Sequence, residues 1–519
     1  MPISNPTGPF QPQAANPAIR PTPARDGIVE YQLYIDGAFT PAASGGRIES
    51  TDPVSGEVWS TIARAQNEDV DRAVMAAHRA FNDPAWRSLS ATARGALLRK
   101  LGDLITENAA WLAQLEMKDN GKLIAELTVQ MNYLPNYYYY YGGMADKLQG
   151  ATIPTDKPGV INYTRYEPLG VVACIMPWNS PLPLMSFKLA AALAAGNTVV
   201  LKPSEFTSAS TLEFVKLVEL AGFPKGVVNV VTGYGHEMGE ALVAHPKVER
   251  IAFTGGPVAG RIINEQAARA MKRVTLELGG KSPNIIFEDA DLDQAVKGAV
   301  AGIFAASGQT CVAGSRLLLQ RSIHDRFIER LVDFLKDIRF GHPSDPDTQI
   351  APISTAPQLA KIEEYVAIAT AEGAKLVRGG KRAAVADWPN GLFYEPTIFT
   401  DVKNSMRIAQ EEVFGPVLSI IPFEDEEEAV QIANDTIFGL AAGVWTRDLA
   451  RGLRMTEKIR AGTVWVNNYR STSITSPFGG FGMSGIGREG GMTGIMEYVE
   501  LKSVWLSTGV EIPNPFIRR

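Results

Sequence analysis

Between residues 170 and 278, short β-branched runs alternate with segments of helical composition, and this alternation limits the possible folds more than any other feature of the chain. The runs cover residues 170–176, 198–201, 227–231, 250–253 and 274–278, and the helical segments cover 183–195, 207–220, 236–244 and 258–271. Strand–helix–strand repeated in this way calls for right-handed crossovers and a mostly parallel sheet. Ligands in such sheets bind beyond the carboxyl ends of the strands. The residues that follow each run are therefore the first candidates for function.

A second α/β unit follows. Helical patterns cover residues 292–306, 323–338, 358–372, 425–434 and 449–458, and strands are expected at 316–320, 417–423, 443–445 and 463–466. Ahead of both units lie short strands over 31–58, then helices at 69–81, 92–108 and 111–144, the last kinked by Pro135. An alternating hairpin at 151–166 and a strand at 495–506 are left over. The proline-rich first 29 residues lack the apolar core of a secretory signal and read as a flexible arm.

Composition narrows the function classes. The chain has 519 residues, enough for two to four domains, and a net charge of −6, which argues against nucleic acid and anionic membranes as partners. The uncharged stretch 168–187 is long enough to span a bilayer, but four prolines interrupt it, so strand and loop are expected there. With two cysteines, Cys174 and Cys311, a disulfide scaffold is excluded and a reducing cytoplasm fits. Five histidines form no metal-binding pattern, so no metal site is expected.

Chemistry-bearing residues cluster at the strand ends. Phe253-Thr254-Gly255-Gly256-Pro257 closes a strand and opens a helix, as a phosphate-binding turn does, although an ordinary tight turn reads the same. Cys311 lies among small and polar residues after an apolar helix, the access a nucleophilic thiol needs, whereas Cys174 sits inside an apolar strand as a core residue. Glu277 ends a strand in an apolar setting that suits a general base with a raised pKa; an interface ion pair is the alternative. Asn179 follows Pro177-Trp178 at another strand end, as an oxyanion donor or a turn residue.

Taken together, the chain from about residue 31 to 507 resembles the aldehyde dehydrogenase superfamily. The matching segments are Pro177-Trp178-Asn179, Lys202-Pro203-Ser204-Glu205, Phe253-Thr254-Gly255, Leu276-Glu277-Leu278-Gly279-Gly280-Lys281, Gly308-Gln309-Thr310-Cys311, Glu411-Glu412-Val413-Phe414-Gly415-Pro416 and Pro477-Phe478-Gly479-Gly480. The resemblance implies an α/β fold of two open domains plus a small β oligomerisation element. Residues 30–148 and 170–282 would bind NAD, 283–485 would form the catalytic domain, and 149–169 with 486–519 would join subunits into a homodimer or homotetramer.

The same resemblance implies oxidation of an aldehyde to its acid, with Cys311 as nucleophile, Glu277 as base and Asn179 as oxyanion donor. Lys202, Ser204 and Glu205 would hold the adenosine ribose, Gly255, Gly256 and Gly279 the cofactor loops, and Glu412 the nicotinamide ribose, with Trp178 and Phe414 lining the cleft. Glu205 would repel a 2′-phosphate, which favours NAD over NADP, while Ser204 leaves room for NADP. Ser180 stands where the family often has a large aromatic, implying a wider tunnel and a medium-sized or aromatic aldehyde. Gly256-Pro257 departs from the hydroxyl residues usual in that loop. A coenzyme A-acylating dehydrogenase and a catalytically silent relative are the alternatives; the presence of Glu277 weighs against the first, and intact Cys311, Glu277 and Asn179 weigh against the second.

Overall fold

The computed structural model describes residues 13–20, 22–509, 512 and 514–517. Its largest sheet has eight strands in the order Gly485–Ile486, Arg273–Glu277, Val248–Thr254, Val171–Ile175, Thr198–Lys202, Val228–Val230, Leu33–Ile35 and Ala38–Thr40. The five central strands are parallel, as the alternation required. From Val171–Ile175 the chain builds outward in one direction and then returns to add Val248–Thr254 on the other side. The strand order therefore reverses between these two, which puts residues 176–180 and 255–256 at the crevice where open sheets bind ligands.

Val171–Ile175 shows why the sheet forms here. Val172 and Cys174 point into one apolar layer, and Val171, Ala173 and Ile175 into the other. A strand covered on both faces reads as an unbroken apolar run. Helices Pro181–Ala194 and Ala209–Ala221 cover the first face. Asn67–Asn82, Gly235–Ala244 and Pro257–Arg269 cover the second. Pro257 occupies the first turn of its helix, where a missing N–H costs nothing.

The second sheet has seven strands, with Pro283–Ile286 and Arg316–Gln320 near its middle and Lys375–Arg378 antiparallel at one edge. The sequence reading missed Pro283–Ile286, because its leading proline and its shortness hid the run Asn284-Ile285-Ile286. A three-stranded sheet joins Val499–Ser507 to Val160–Pro168 and Thr152–Ile153. The C-terminal element expected from residue 486 thus enters this sheet only at Val499. Residues 485–486 pair instead with Arg273–Glu277.

Two further expectations are corrected. The segment 111–144 is not one kinked helix: it forms Ala109–Asn120, Ile124–Tyr133 and Pro135–Met144, the first ended by Gly121 at φ 76°. The arm read as flexible over 1–29 is docked where it is described, with residues 1–12 and 21 outside that range. Ile19 is buried, the Ala15 N–H donates to Asn108 Oδ1 at 3.0 Å, and Ala24–Arg25 pairs with Ile28–Tyr31.

Candidate active site

Cys311 lies between a short 3₁₀ turn, Ala305–Gly308, and the strand Arg316–Gln320. Ala306 and Ser307 both take φ 52° and Gly308 φ 74°, three left-handed residues in succession. Non-glycine residues pay for that conformation with strain, so neighbours must hold it. Ser307 Oγ donates to the Ala351 carbonyl at 2.6 Å, and Gln309 Oε1 accepts from the Ser354 N–H at 2.9 Å. The result is a turn pinned from both sides that carries the half-buried Cys311, while Cys174 is fully buried.

Asn179 reaches this turn from the first sheet. Its Nδ2 donates to the Gln309 carbonyl at 2.9 Å, two residues before the thiol, leaving one amide hydrogen uncommitted. Glu277 ends the strand Arg273–Glu277, and its carbonyl accepts the Gly255 N–H at 3.1 Å. Its carboxyl group is buried and neither oxygen has a hydrogen-bond partner. Burial pushes its pKa well above the carboxylate range, Glu489 adds to the rise, and Lys188 and Arg488 oppose it. A carboxyl group left unpaired in that setting is a strong base once ionised.

Glu412 folds over the neighbouring turn. Its Oε1 accepts the Gly280 N–H at 3.0 Å, and a Cβ at Gly279 would fall 2.1 Å from its Oε2, so the approach requires glycine. The Cys311 thiol is pushed up to about 12, first by burial, then by Glu412 and by Glu277. Trp178 and Phe414 meet edge to face with centroids 5.3 Å apart. Lys202 Nζ stands 3.5 Å from Glu205 Oε2 at the end of Thr198–Lys202, and Ser204 Oγ accepts the Phe206 N–H at 3.4 Å. Gly255 is held close to the Phe253 ring, whereas a Cβ at Gly256 would meet only open space.

Four charged residues near these groups escaped the sequence reading. Lys188, in the otherwise uncharged helix Pro181–Ala194, is paired with Glu489 and donates to Thr254 Oγ1 at 2.6 Å. A lone lysine among apolar residues was the available signal for it. Lys122 donates to Ser180 Oγ at 2.5 Å, and Arg470 Nη2 donates to Thr310 Oγ1 at 3.2 Å. Nothing in the local pattern marks Lys122 or Arg470. Val312, next to the thiol, is packed in the core of the second unit. Of the five successive tyrosines, Tyr137, Tyr138 and Tyr141 are buried.

The sequence profile of the aldehyde dehydrogenase family matches residues 39–504. The chain belongs to the aldehyde dehydrogenase family. It is 48% identical over 493 residues to (Z)-2-((N-methylformamido)methylene)-5-hydroxybutyrolactone dehydrogenase of Acinetobacter baylyi, covering 94% of this chain and 100% of that protein. It is 44% identical to betaine aldehyde dehydrogenase of Bacillus subtilis, covering 93% and 99%. The crystal structure of betaine aldehyde dehydrogenase from Staphylococcus aureus in complex with NAD+ superposes with a TM-score of 0.92 at 42% identity, covering 94% and 97%. The chain is therefore an aldehyde dehydrogenase-family oxidoreductase of mixed α/β fold, in a family that uses NAD(P). No helix among the described residues is long and apolar enough to cross a membrane.

Proposed function

We propose that this aldehyde dehydrogenase oxidises an aldehyde to its carboxylic acid through a covalent intermediate on Cys311, with Asn179 as oxyanion donor, Glu277 as deacylation base and NAD as cofactor. The observation that carries this reading is the half-buried Cys311 with its thiol within electrostatic range of a buried carboxyl group that has no partner.

The residues present fit a dinucleotide. Lys202 and Glu205 offer a cation and a carboxylate to ribose hydroxyls, with Ser204 beside them, and Gly255 and Gly256 open the helix Pro257–Arg269. On that helix Val258 and Ile262 are 62% and 52% exposed, an apolar pair one turn apart that suits a flat base. Glu412, Phe414, Gly279 and Trp178 would hold the nicotinamide end. Bound there, NAD supplies the acceptor for the hydride that leaves the substrate carbon.

The chain's own residues do the rest. The Cys311 thiol gives its proton to water, and the thiolate attacks the carbonyl carbon, forming the C–S bond and moving the π pair onto oxygen. The uncommitted Asn179 hydrogen and the Cys311 N–H are the donors for that oxyanion, each worth about 10²–10³ in rate. After oxidation a thioester remains on Sγ. Glu277 takes a proton from water as its oxygen attacks the thioester, and the thiolate departs with the C–S electrons. The raised Glu277 pKa makes this step accelerate with pH as the carboxyl group ionises.

Residues 30–148 and 170–282 serve as the NAD-binding part and 283–485 as the catalytic part. The three-stranded sheet leaves Leu501, Trp505 and Leu506 54%, 58% and 48% exposed, which supports its role in joining a homodimer or homotetramer. Two free thiols suit the cytoplasm. The aromatic cluster of Tyr137, Phe187 and Phe478, with neighbouring centroids 4.7 Å and 6.3 Å apart, supports a medium-sized or aromatic substrate.

The test is Glu277→Gln with NAD and an aldehyde panel. It should release about one equivalent of NADH per site, retain an acyl group on Cys311, and then turn over about 10²–10⁴ times more slowly. Steady turnover at the original rate overturns the role of Glu277. Product release only with added coenzyme A selects the acylating alternative, and no NADH from the unaltered protein selects the silent one.

A further inference from the structure

Resting on that reading, we propose that Glu116, Lys122 and Glu126 are positioning residues that bracket the turn of Asn179 and the turn of Cys311, and so fix the spacing of the two oxyanion donors. The three flank Gly121, where the chain leaves the helix Ala109–Asn120 at φ 76° before entering Ile124–Tyr133. That one loop reaches both turns.

The Asn179 turn is held twice. Glu116 Oε1 accepts the Leu182 N–H at 2.6 Å, one of the first N–H groups of the helix Pro181–Ala194, which find no acceptor within it. Lys122 Nζ donates to Ser180 Oγ at 2.5 Å. The Cys311 turn is held from the same loop. Glu126 Oε1 accepts the N–H of left-handed Ala306 at 2.8 Å. The Asn120 carbonyl accepts Ser354 Oγ at 2.6 Å, and the Ser354 N–H in turn donates to Gln309 Oε1. Asn120 Oδ1 accepts the Lys122 N–H at 3.0 Å, which ties these holds together. Directly between the turns, Asn179 Nδ2 meets the Gln309 carbonyl. A hydrogen bond resists stretching along its own line and yields to sliding across it, so the outer holds supply the lateral restraint.

Charge explains why polar groups do this work in the interior. Glu116 and Lys122 are 0% and 3% exposed, and Glu126 is half-buried. Both carboxylates act on the ammonium group, as does Arg470, which donates to Thr310 Oγ1 beside the thiol. Two charges of each sign thus meet behind the turns. Burial pushes Glu116 up to about 7, and Lys122 and the Leu182 N–H pull against that rise. Removing Lys122 favours the protonated Glu116, a weaker acceptor for Leu182. Apolar residues of equal volume would be no less stable there. They would, however, set no hydrogen-bond length or angle, and the donors need both.

The test compares Glu126→Leu, Glu126→Gln and Lys122→Met, each rate being counted per Cys311 that iodoacetamide labels, so that unfolded protein is excluded by a parallel urea midpoint. Glu126→Leu and Lys122→Met should lower kcat/KM for the aldehyde by about 10- to 100-fold, the cost of a misplacement near 1 Å, and leave KM for NAD little changed. Glu126→Gln retains an acceptor oxygen and should recover most of the loss. In an Asn179→Ala background, where one donor is already gone, Glu126→Leu should cost several-fold less. The same cost in both backgrounds, or full activity in Glu126→Leu, overturns the positioning role and leaves the dehydrogenase reading standing. The half-buried Glu126 keeps the test open should Lys122→Met fail to fold. If the unaltered protein oxidises no aldehyde, that reading is what fails. Hydrogen exchange then reads the bracket: amides of residues 306–311 should exchange about tenfold faster in Glu126→Leu than in Glu126→Gln, and equal exchange overturns it.

Discussion

Lys188 and Glu489 form an ion pair with side chains 0% and 3% exposed, although 301 positions separate them in sequence. The pair joins the helix Pro181–Ala194 to the segment that follows Gly485–Ile486, and both charges act on Glu277. Breaking such a pair from one side strands the other charge in the interior. Lys188→Met or Glu489→Gln should therefore cost about 3–5 kcal/mol in urea unfolding. The double variant Lys188→Met, Glu489→Leu should recover much of that loss, and additive losses would contradict the pairing.

Asp119 gives a stability signature in pH. Its Oδ2 accepts the Ala209 N–H at 2.9 Å, its Oδ1 is buried without a partner, and burial pushes its pKa up to about 8. The folded chain therefore holds a proton that the unfolded chain releases above about pH 4. Stability should fall as pH rises across that window toward 8. Asp119→Asn keeps the acceptor and removes the ionisation. Its denaturation midpoint should change less between about pH 5 and about pH 8 than that of the unaltered protein.

The two thiols should differ sharply toward iodoacetamide. Peptide mapping of the native apoprotein should find Cys311 modified and Cys174 intact, because Cys311 is half-buried and Cys174 fully buried. After burial, Glu412 is the largest influence raising the Cys311 pKa. Glu412→Gln removes that charge, lowers the thiol pKa and should speed alkylation at neutral pH. Slower alkylation would assign Glu412 to deprotonating the thiol instead.

Cofactor choice should turn on Glu205. Its carboxylate stands 3.5 Å from Lys202 Nζ, where a 2′-phosphate would be repelled by one and attracted by the other. Glu205→Gln should raise kcat/KM for NADP while lowering it for NAD. An unaltered enzyme that uses both equally would remove Glu205 as the selector.

Much of this architecture was legible because short-range chemistry wrote it. The strands around 171–175 and 198–202 are β-branched runs, the helix Leu449–Lys458 begins after its capping Asp448, and the segments around Asn179, Glu277 and Cys311 carry their residue types locally. The contacts that tune the site were not legible. Lys188 with Glu489, and Lys122 with the Asn179–Ser180 turn, are long-range meetings that no window of sequence contains. The break at Gly121 was hidden by the helical composition on both sides of it.

Gly308 has no side chain, and there is no room for one: a Cβ there would fall 2.1 Å from the Gly415 carbonyl oxygen. The loop of Cys311 and the loop of Glu412 and Phe414 therefore lie backbone against backbone, without the soft cushion of side chains that lets neighbouring loops drift. Displacing one displaces the other. The sulfur and the carboxylate that reaches Gly280 are set by a common gauge, so what settles the position of Glu412 settles the position of the Cys311 sulfur in the same motion.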